Sequence, residues 1–281
     1  MPELPEVETV VKSIRPRLMG KTIDCISPCN DYINVFAPQL ALTLQTQSAG
    51  QQITDIYRRA KYIIIVLESG FITIHLRMTG RLLFSLSDDD KPKHITAKFI
   101  FTDGSKLYFK DYRKFGRIHY HDSLTNLENK LGPEPLDDTF SSINFYQSLH
   151  KYKRQIKGLL LDQSFIAGVG NIYADEALWA ARIHPETHSN SISRIKSNRL
   201  YQALRSILSK AIEQQGTTII NFYFGEGSKG NFRDALNVFD RHGQGCHRCG
   251  TIIKKIKVSQ RGTHICPKCQ KKKSPDKSGL I

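Results

Sequence analysis

Four cysteines near the C-terminal end constrain this chain more tightly than any other feature. Cys246 and Cys249 are separated by two residues, sixteen residues follow, and Cys266 and Cys269 repeat the spacing. Two such pairs suit two tight turns facing each other across a short hairpin, as in a zinc ribbon. The segment 251–258, TIIKKIKV, is β-branched and partly alternating, as a small strand requires, and Arg261-Gly262-Thr263 is expected to turn the chain back. So small a hairpin buries little apolar surface, so one structural zinc ion is expected to supply its folding energy. In a reducing cytosol zinc suits the quartet better than disulfides. Cys25 and Cys29 have three residues between them and no second pair, and read as ordinary thiols.

Charge narrows the partners. Forty-one Lys and Arg against 26 Asp and Glu give +15, which argues for a polyanion and for electrostatic steering toward it. From residue 241 onward there are eleven Lys and Arg and one acid, Asp276, a local +10 that leaves +5 for the first 240 residues. A basic end of this density points to nucleic acid, the bland alternative being a solvated tail. The N-terminus has no cationic segment followed by an apolar run, and no stretch approaches the ~18 apolar residues of a membrane span. The expectation is a soluble, cytoplasmic protein with no membrane partner.

The opening Met1-Pro2-Glu3-Leu4-Pro5-Glu6 carries a second signal. Once Met1 is removed, Pro2 would present a secondary amine, which attacks an aldehydic carbon to give a cationic iminium directly and suits lyase chemistry at a sugar C1′. An α-amino group titrates near ~8, far below lysine. A helix starting near Pro5 would disfavour the protonated amine, whereas Glu3 would favour it. Taken alone, Pro2 is better read as an ordinary second residue, with Glu3, Glu6 and Glu8 decorating a helix N-terminus.

Periodicity separates the chain into parts. Val7, Val10, Val11, Ile14 and Leu18 form a helical stripe, with an interruption expected at Pro16. Short β-branched or aromatic runs at 62–67, 71–75, 96–101 and 106–109, punctuated by turns, suggest a β-sandwich. Gly132-Pro-Glu-Pro135 breaks this pattern, and helical periodicity follows from about 140 to 215, with a break at 166–170 before Asn171. A glycine turn ahead of a helix N-terminus suits a phosphate, or simply lets two helices pack closely. A Gly- and aromatic-rich loop spans 221–231, and 271–277 reads as a disordered tail.

Together these residues resemble the formamidopyrimidine-DNA glycosylase family. The resemblance is carried, in order, by Pro2-Glu3-Leu4-Pro5-Glu6-Val7-Glu8-Thr9, Arg58-Arg-Ala-Lys61-Tyr62, His75-Leu-Arg-Met78-Thr-Gly80, Arg113-Lys-Phe115-Gly116, Ile156-Lys-Gly-Leu-Leu-Leu-Asp162, Gly168-Val-Gly-Asn-Ile-Tyr173 and the Cys quartet closing at Gln270. Leu4 stands where the sister endonuclease VIII branch typically has glycine. The resemblance implies a multidomain α+β protein. Its parts would be an N-terminal β-sandwich catalytic domain over 1–131, a linker over 132–137, and a helix-two-turns-helix DNA-binding domain with a lesion lid over 138–235. A zinc finger over 236–270 and a basic tail over 271–281 would follow. It implies a monomeric, nucleoid-associated bacterial repair enzyme acting on damaged double-stranded DNA.

The implied activity is bifunctional: removal of oxidised purines (8-oxoguanine, formamidopyrimidines), then strand cleavage by β,δ-elimination. In that reading Pro2 attacks C1′ of the flipped nucleotide and Glu3 is the acid-base residue. Lys61, on a strand, approaches the base and adjacent phosphate, while Arg261 grips flanking phosphates and assists the second elimination. Met78, Arg113 and Phe115 fill the hole left in the base stack. His75, His94, Lys153, Arg154 and Asn171 lie near backbone phosphates. Cys246, Cys249, Cys266 and Cys269 hold the metal. Individually Met78 and Phe115 read better as core and Arg113 as a solvated turn residue; their occurrence in the family's context and order reverses that reading.

Several positions depart from the family pattern. Ile220 stands where a lid cation is common, which leaves open a preference shifted toward oxidised pyrimidines. Ala60 and Gln260 replace usual glycines, and Ile265 a common aromatic. A non-catalytic zinc-finger DNA-binding protein is the alternative from another class, opposed by intact Pro2, Glu3 and Lys61.

Overall fold

The computed structural model describes residues 1–88, 90–217 and 231–272. Ile220 with the rest of 218–230, and the tail from 273 on, lie outside the described residues. The chain divides into two compact units, Met1–Lys130 with Ala211–Arg233, and Leu131–Lys210 with Asp234–Ile281. The architecture is α+β, a sheet domain followed by a helical region and a cysteine-bearing hairpin.

In the first unit the order is α1 (Leu4–Leu18), β1 (Ile23–Pro28), α2 (Ala41–Ser48), β2 (Ile53–Arg59), β3 (Tyr62–Leu67), β4 (Phe71–His75), β5 (Gly80–Leu83), β6 (Ile95–Phe101), β7 (Lys106–Asp111), β8 (Arg117–His121) and α3 (Thr125–Glu128). Two antiparallel four-stranded sheets form, ordered β1-β6-β7-β5 and β2-β3-β4-β8. Their inward faces share one apolar core, Phe99, Phe101 and Phe109 from the first sheet with Ile56, Ile63, Ile65 and Ile74 from the second. This is a sandwich in the physical sense, since neither sheet buries its apolar face alone.

The stripe Val7, Val10, Val11, Ile14, Leu18 joins that core, so α1 forms because its period of 3.6 places one face on the sheets. Pro16 does not interrupt the helix as expected. It lies in the last turn, where its missing N–H costs one bond to Lys12, and Met19 N still donates to Arg15 O at 3.1 Å beyond it.

The second unit contains α4 (Ser142–His150), α5 (Ile156–Leu160), α6 (Asn171–Ala180), most of α7 (Arg194–Glu213), and the hairpin β9 (Lys254–Val258) with β10 (Arg261–Ile265). Ser141 caps α4 by accepting from Asn144 N at 3.1 Å. Gly132 is required by close approach, because a Cβ there would lie 2.7 Å from the backbone of Phe165 and Ser164. The hairpin corrects one expectation. Arg261 is not in the turn but opens β10, opposite Val258. Ser259 and Gln260, at φ 47° and 61°, make the reversal, as a two-residue turn with both φ positive does.

Candidate functional site

At the N-terminus Pro2 is buried and Glu3, 2% exposed, is the N-cap of α1 in extended conformation. The first helical amides lack intrahelical partners, and a capping box meets that need: Glu3 accepts from the Glu6 amide, and Glu6 Oε2 accepts from Glu3 N at 2.8 Å. The other oxygen of Glu6 accepts from Thr217 N at 2.8 Å. The three acids are therefore not uniform decoration. Glu3 and Glu6 are buried, while Glu8 is partly exposed and pairs with Arg58 Nε at 2.9 Å. Sequence does not single out Glu6, because any acid in a first turn has a sufficient explanation in the helix dipole.

Lys61 sits in the two-residue turn between β2 and β3, bounded by the pair Arg59 and Tyr62, rather than on a strand. It is 5% exposed, and Ala60 beside it holds φ 52°, the left-handed conformation that a glycine adopts at lower cost. His75 ends β4 directly opposite Tyr62, and the two rings meet edge to face at 4.7 Å. His75 Nδ1 accepts from Arg77 N at 3.0 Å, so a neutral ring carries its proton on Nε2. Burial, then the Arg77 and Lys61 cations, lower its pKa to about 3.

Met78 and Phe115 are 43% and 47% exposed, so neither is a core residue. Arg113 lies between them, its NH1 donating to Met78 Sδ at 2.8 Å and its guanidinium carbon 4.8 Å from the Phe115 ring centroid. Asp111, buried at the end of β7, organises the group. Its Oδ1 accepts from Thr79 Oγ1 and, at 3.1 Å, from Arg113 N; its Oδ2 accepts from Gly116 N at 2.7 Å. One carboxylate thereby fastens the Met78 turn to the Arg113–Phe115 turn. The His94 ring packs against Tyr112 at a 45° tilt with centroids 4.5 Å apart, and its pKa is lowered by desolvation and by Lys93, Lys110, Lys91 and Lys114.

In the second unit Lys153 and Arg154 are exposed, and Arg154 pairs with Asp162 at 2.7 Å. Arg154, Gln155, Asp162, Ser259 and Arg261 line a concavity of about 440 Å³. Asn171 begins α6 as expected, but its Nδ2 donates to Gly262 O at 3.1 Å and so holds the finger next to Arg261. Lys157, fully buried, donates from Nζ to Asp175 Oδ1 at 2.6 Å, Thr263 Oγ1 at 2.7 Å and Gly262 O at 3.1 Å. Asp175 Oδ2 in turn accepts from His264 N at 2.8 Å. This network fixes the strand on which Arg261 lies. It leaves no local signal in the sequence, since the partners are 18 and 106 residues from Lys157.

The four cysteine sulfurs lie within 4.8 Å of one another, with Cys249 to Cys266 at 3.5 Å and Cys249 to Cys269 at 3.6 Å. Tetrahedral zinc with Zn–S of ~2.3 Å requires sulfurs about 3.8 Å apart, so the donor set fits one structural zinc ion. Gln270 secures the second pair, accepting from Cys266 N at 3.0 Å and donating to Ile183 O at 3.0 Å.

Three family models match in chain order: the formamidopyrimidine-DNA glycosylase N-terminal domain over 1–118, its H2TH domain over 131–222, and a zinc finger found in FPG and IleRS over 243–272. A formamidopyrimidine-DNA glycosylase from Enterococcus faecalis is 44% identical, covering 97% of this chain and 98% of its own. One from Herpetosiphon aurantiacus is 41% identical, covering 96% of this chain and 100% of its own. Among solved structures, a Lactococcus lactis FPG mutant bound to DNA containing Fapy-dG superposes with a TM-score of 0.89 at 36% identity, over 96% of this chain and 100% of that one. MutM (FPG) from Thermus thermophilus gives 0.86 at 34% identity, over 97% and 100%. With its domains, its metal ligands and its length all accounted for by these relatives, the chain belongs to the formamidopyrimidine-DNA glycosylase family of DNA-repair enzymes.

Proposed function

We propose that this glycosylase excises oxidised purines, formamidopyrimidines and 8-oxoguanine, from double-stranded DNA and then cleaves the abasic strand. The observation that carries the reading is the N-terminal turn. Pro2 and Glu3 are adjacent and buried, and the turn is braced by Glu6 rather than left to fray. Solved relatives bound to DNA containing Fapy-dG, carbocyclic 8-oxo-G or an abasic site support the substrate class.

In this mechanism the Pro2 nitrogen, freed by removal of Met1, bonds to C1′ as the glycosidic C1′–N bond breaks, and the base leaves with a proton. Glu3 donates to the ring oxygen as the sugar opens. The iminium acidifies the C2′ proton, whose loss expels the 3′ phosphate, and a second elimination expels the 5′ phosphate. Lys61 and Arg261 neutralise phosphate charge, with His75, His94, Lys153, Arg154 and Asn171 along the backbone. Met78, Arg113 and Phe115 occupy the vacated stack. Phosphate contacts of this kind give an affinity that falls steeply with salt. The protein acts as a cytoplasmic, nucleoid-associated monomer, with domains at 1–131, 138–235 and 236–270.

A panel of duplexes carrying 8-oxoguanine, a formamidopyrimidine or an oxidised pyrimidine tests the substrate. Faster single-turnover excision of the two purine lesions is expected. Preference for the pyrimidine would overturn the assignment and point to Ile220.

A further inference from the structure

Trp179 is the chain's single tryptophan. It lies near the end of α6, is 8% exposed, and packs in one apolar cluster with Val238, Cys246, Ile253 and Cys266. A phenylalanine would supply an apolar ring to the same cluster, though a smaller one. What a phenylalanine lacks is the indole N–H, a donor that seeks a partner when buried. Here that partner is a metal ligand: Nε1 donates to Cys246 Sγ at 3.4 Å.

The chemistry of that contact is specific. Cysteine binds zinc as the thiolate, and four thiolates around one Zn²⁺ leave a formal charge of −2 in a half-buried setting, where Cys246 is 3% exposed and Cys266 fully buried while Cys249 and Cys269 are partly exposed. Donors aimed at the sulfurs stabilise the ligating form. Cys266 receives one from the backbone, Cys269 N at 3.4 Å. Cys246 receives a side-chain donor from a different structural element. Arg248, between the first two ligands in sequence, stacks its guanidinium 4.0 Å from the Trp179 ring centroid and donates from NH1 to Trp179 O at 3.1 Å. The indole is thus held between a ligand sulfur and a cation, with little freedom to rotate its N–H away.

We infer that Trp179 is a positioning residue of the zinc centre, whose N–H holds the Cys246 sulfur in its ligating state, slows metal loss, and makes the chain's only indole a reporter of metal occupancy. Removing a hydrogen bond to a metal ligand typically costs ~10–100-fold in metal affinity. The helix that bears Trp179 also bears Asn171, Asp175 and Glu176, so the inference extends the clasp between α6 and the ribbon to the metal itself.

The test uses the full-length protein, loaded to one zinc per chain, mixed with excess chelator while a metallochromic dye reads zinc release and indole emission is followed in parallel. Trp179→Phe, which keeps an aromatic ring in the cluster and removes the N–H, is expected to start with a full complement of zinc and release it about 10-fold faster or more. Arg248→Gln, which leaves the N–H in place, is expected to have a smaller effect. In the unaltered protein, indole emission should change with the rate constant that the dye reports. Equal release rates for Trp179→Phe and the unaltered protein would overturn the inference, and a larger effect from Arg248→Gln would reassign the control to the stacked cation. If Trp179→Phe fails to fold, the unaltered protein decides: emission that does not respond to complete zinc removal contradicts the inference. Absence of zinc from freshly purified protein would remove the metal account itself.

Discussion

Glu6 Oε1 accepts the backbone N–H of Thr217 at 2.8 Å, while its Oε2 accepts that of Glu3 at the same distance. One buried carboxylate thus ties the turn bearing Pro2 to the residue after which the 218–230 segment begins. Gly216 makes the approach possible: its φ is +81°, and a Cβ there would lie 3.0 Å from Glu6 Oε1. Replacing Glu6 with Gln puts an amide NH₂ against one of these donors, a loss of about 1–3 kcal/mol for a buried unsatisfied group. Glu6→Gln is therefore expected to lower the urea midpoint and to slow imine formation on an abasic duplex at least tenfold. A variant with both quantities unchanged would show that the bridge is dispensable.

Ala60 offers a test of opposite sign. It adopts φ 52° at 1% exposure, next to Lys61. A left-handed alanine costs ~1–2 kcal/mol, part of which glycine gives back through the entropy of its unfolded chain. Ala60→Gly is expected to stabilise the protein by about 0.5–1 kcal/mol in chemical denaturation. Destabilisation would mean that the alanine methyl contributes more to the core than its backbone costs.

The His75 imidazole should stay neutral through the physiological range. Burial, reinforced by Arg77 and Lys61, holds its folded-state pKa at about 3 against an ordinary 6.5. The unfolded chain takes up this proton between those values and the folded chain does not, so the stability it confers is present above pH 6.5 and is lost as pH falls toward 3. NMR of the imidazole should show no titration between about pH 5 and 8, the range in which an ordinary histidine changes charge, and a proton on Nε2. A midpoint near 6.5, the ordinary value, would contradict this environment.

Phe115 should matter to binding far more than to folding. At 47% exposure its truncation leaves no cavity. Phe115→Ala is expected to change stability by no more than ~0.5 kcal/mol, as for surface substitutions generally. Affinity for a lesion duplex, titrated at fixed salt, should fall about tenfold, in keeping with the loss of a wedge between base steps. Comparable losses in both measurements would instead mark the residue as structural.

What sequence makes legible follows the range of the interactions. The runs at 62–67 and 71–75 coincide with β3 and β4, because both are apolar strands at the centre of their sheet. β2, with Asp55, Arg58 and Arg59 among its seven residues, and β8, with two histidines and an arginine in five, escape the pattern, since their partially exposed faces dilute it. The cysteine quartet is legible because its spacing is local. Asp111, Glu6, Lys157 and Asp175 are not, since each has at least one partner, Thr79, Thr217 or the other member of the Lys157–Asp175 pair, that only the fold brings near. Placing Arg261 in the turn fails for a related reason. Glycine at 262 suggests the reversal, but Ser259 and Gln260 accept the positive φ values.

Assignment of the Pro2 nitrogen as the nucleophile is open to borohydride trapping on an abasic-site duplex, followed by mass mapping of the cross-linked peptide. Protein whose intact mass shows Met1 removed should give a one-to-one covalent adduct located on Pro2, and Pro2→Gly should reduce its yield sharply while leaving duplex affinity within about twofold, since one amine adds little to a many-phosphate grip. An adduct located on Lys61 or another lysine, or no adduct from correctly processed protein, would contradict it.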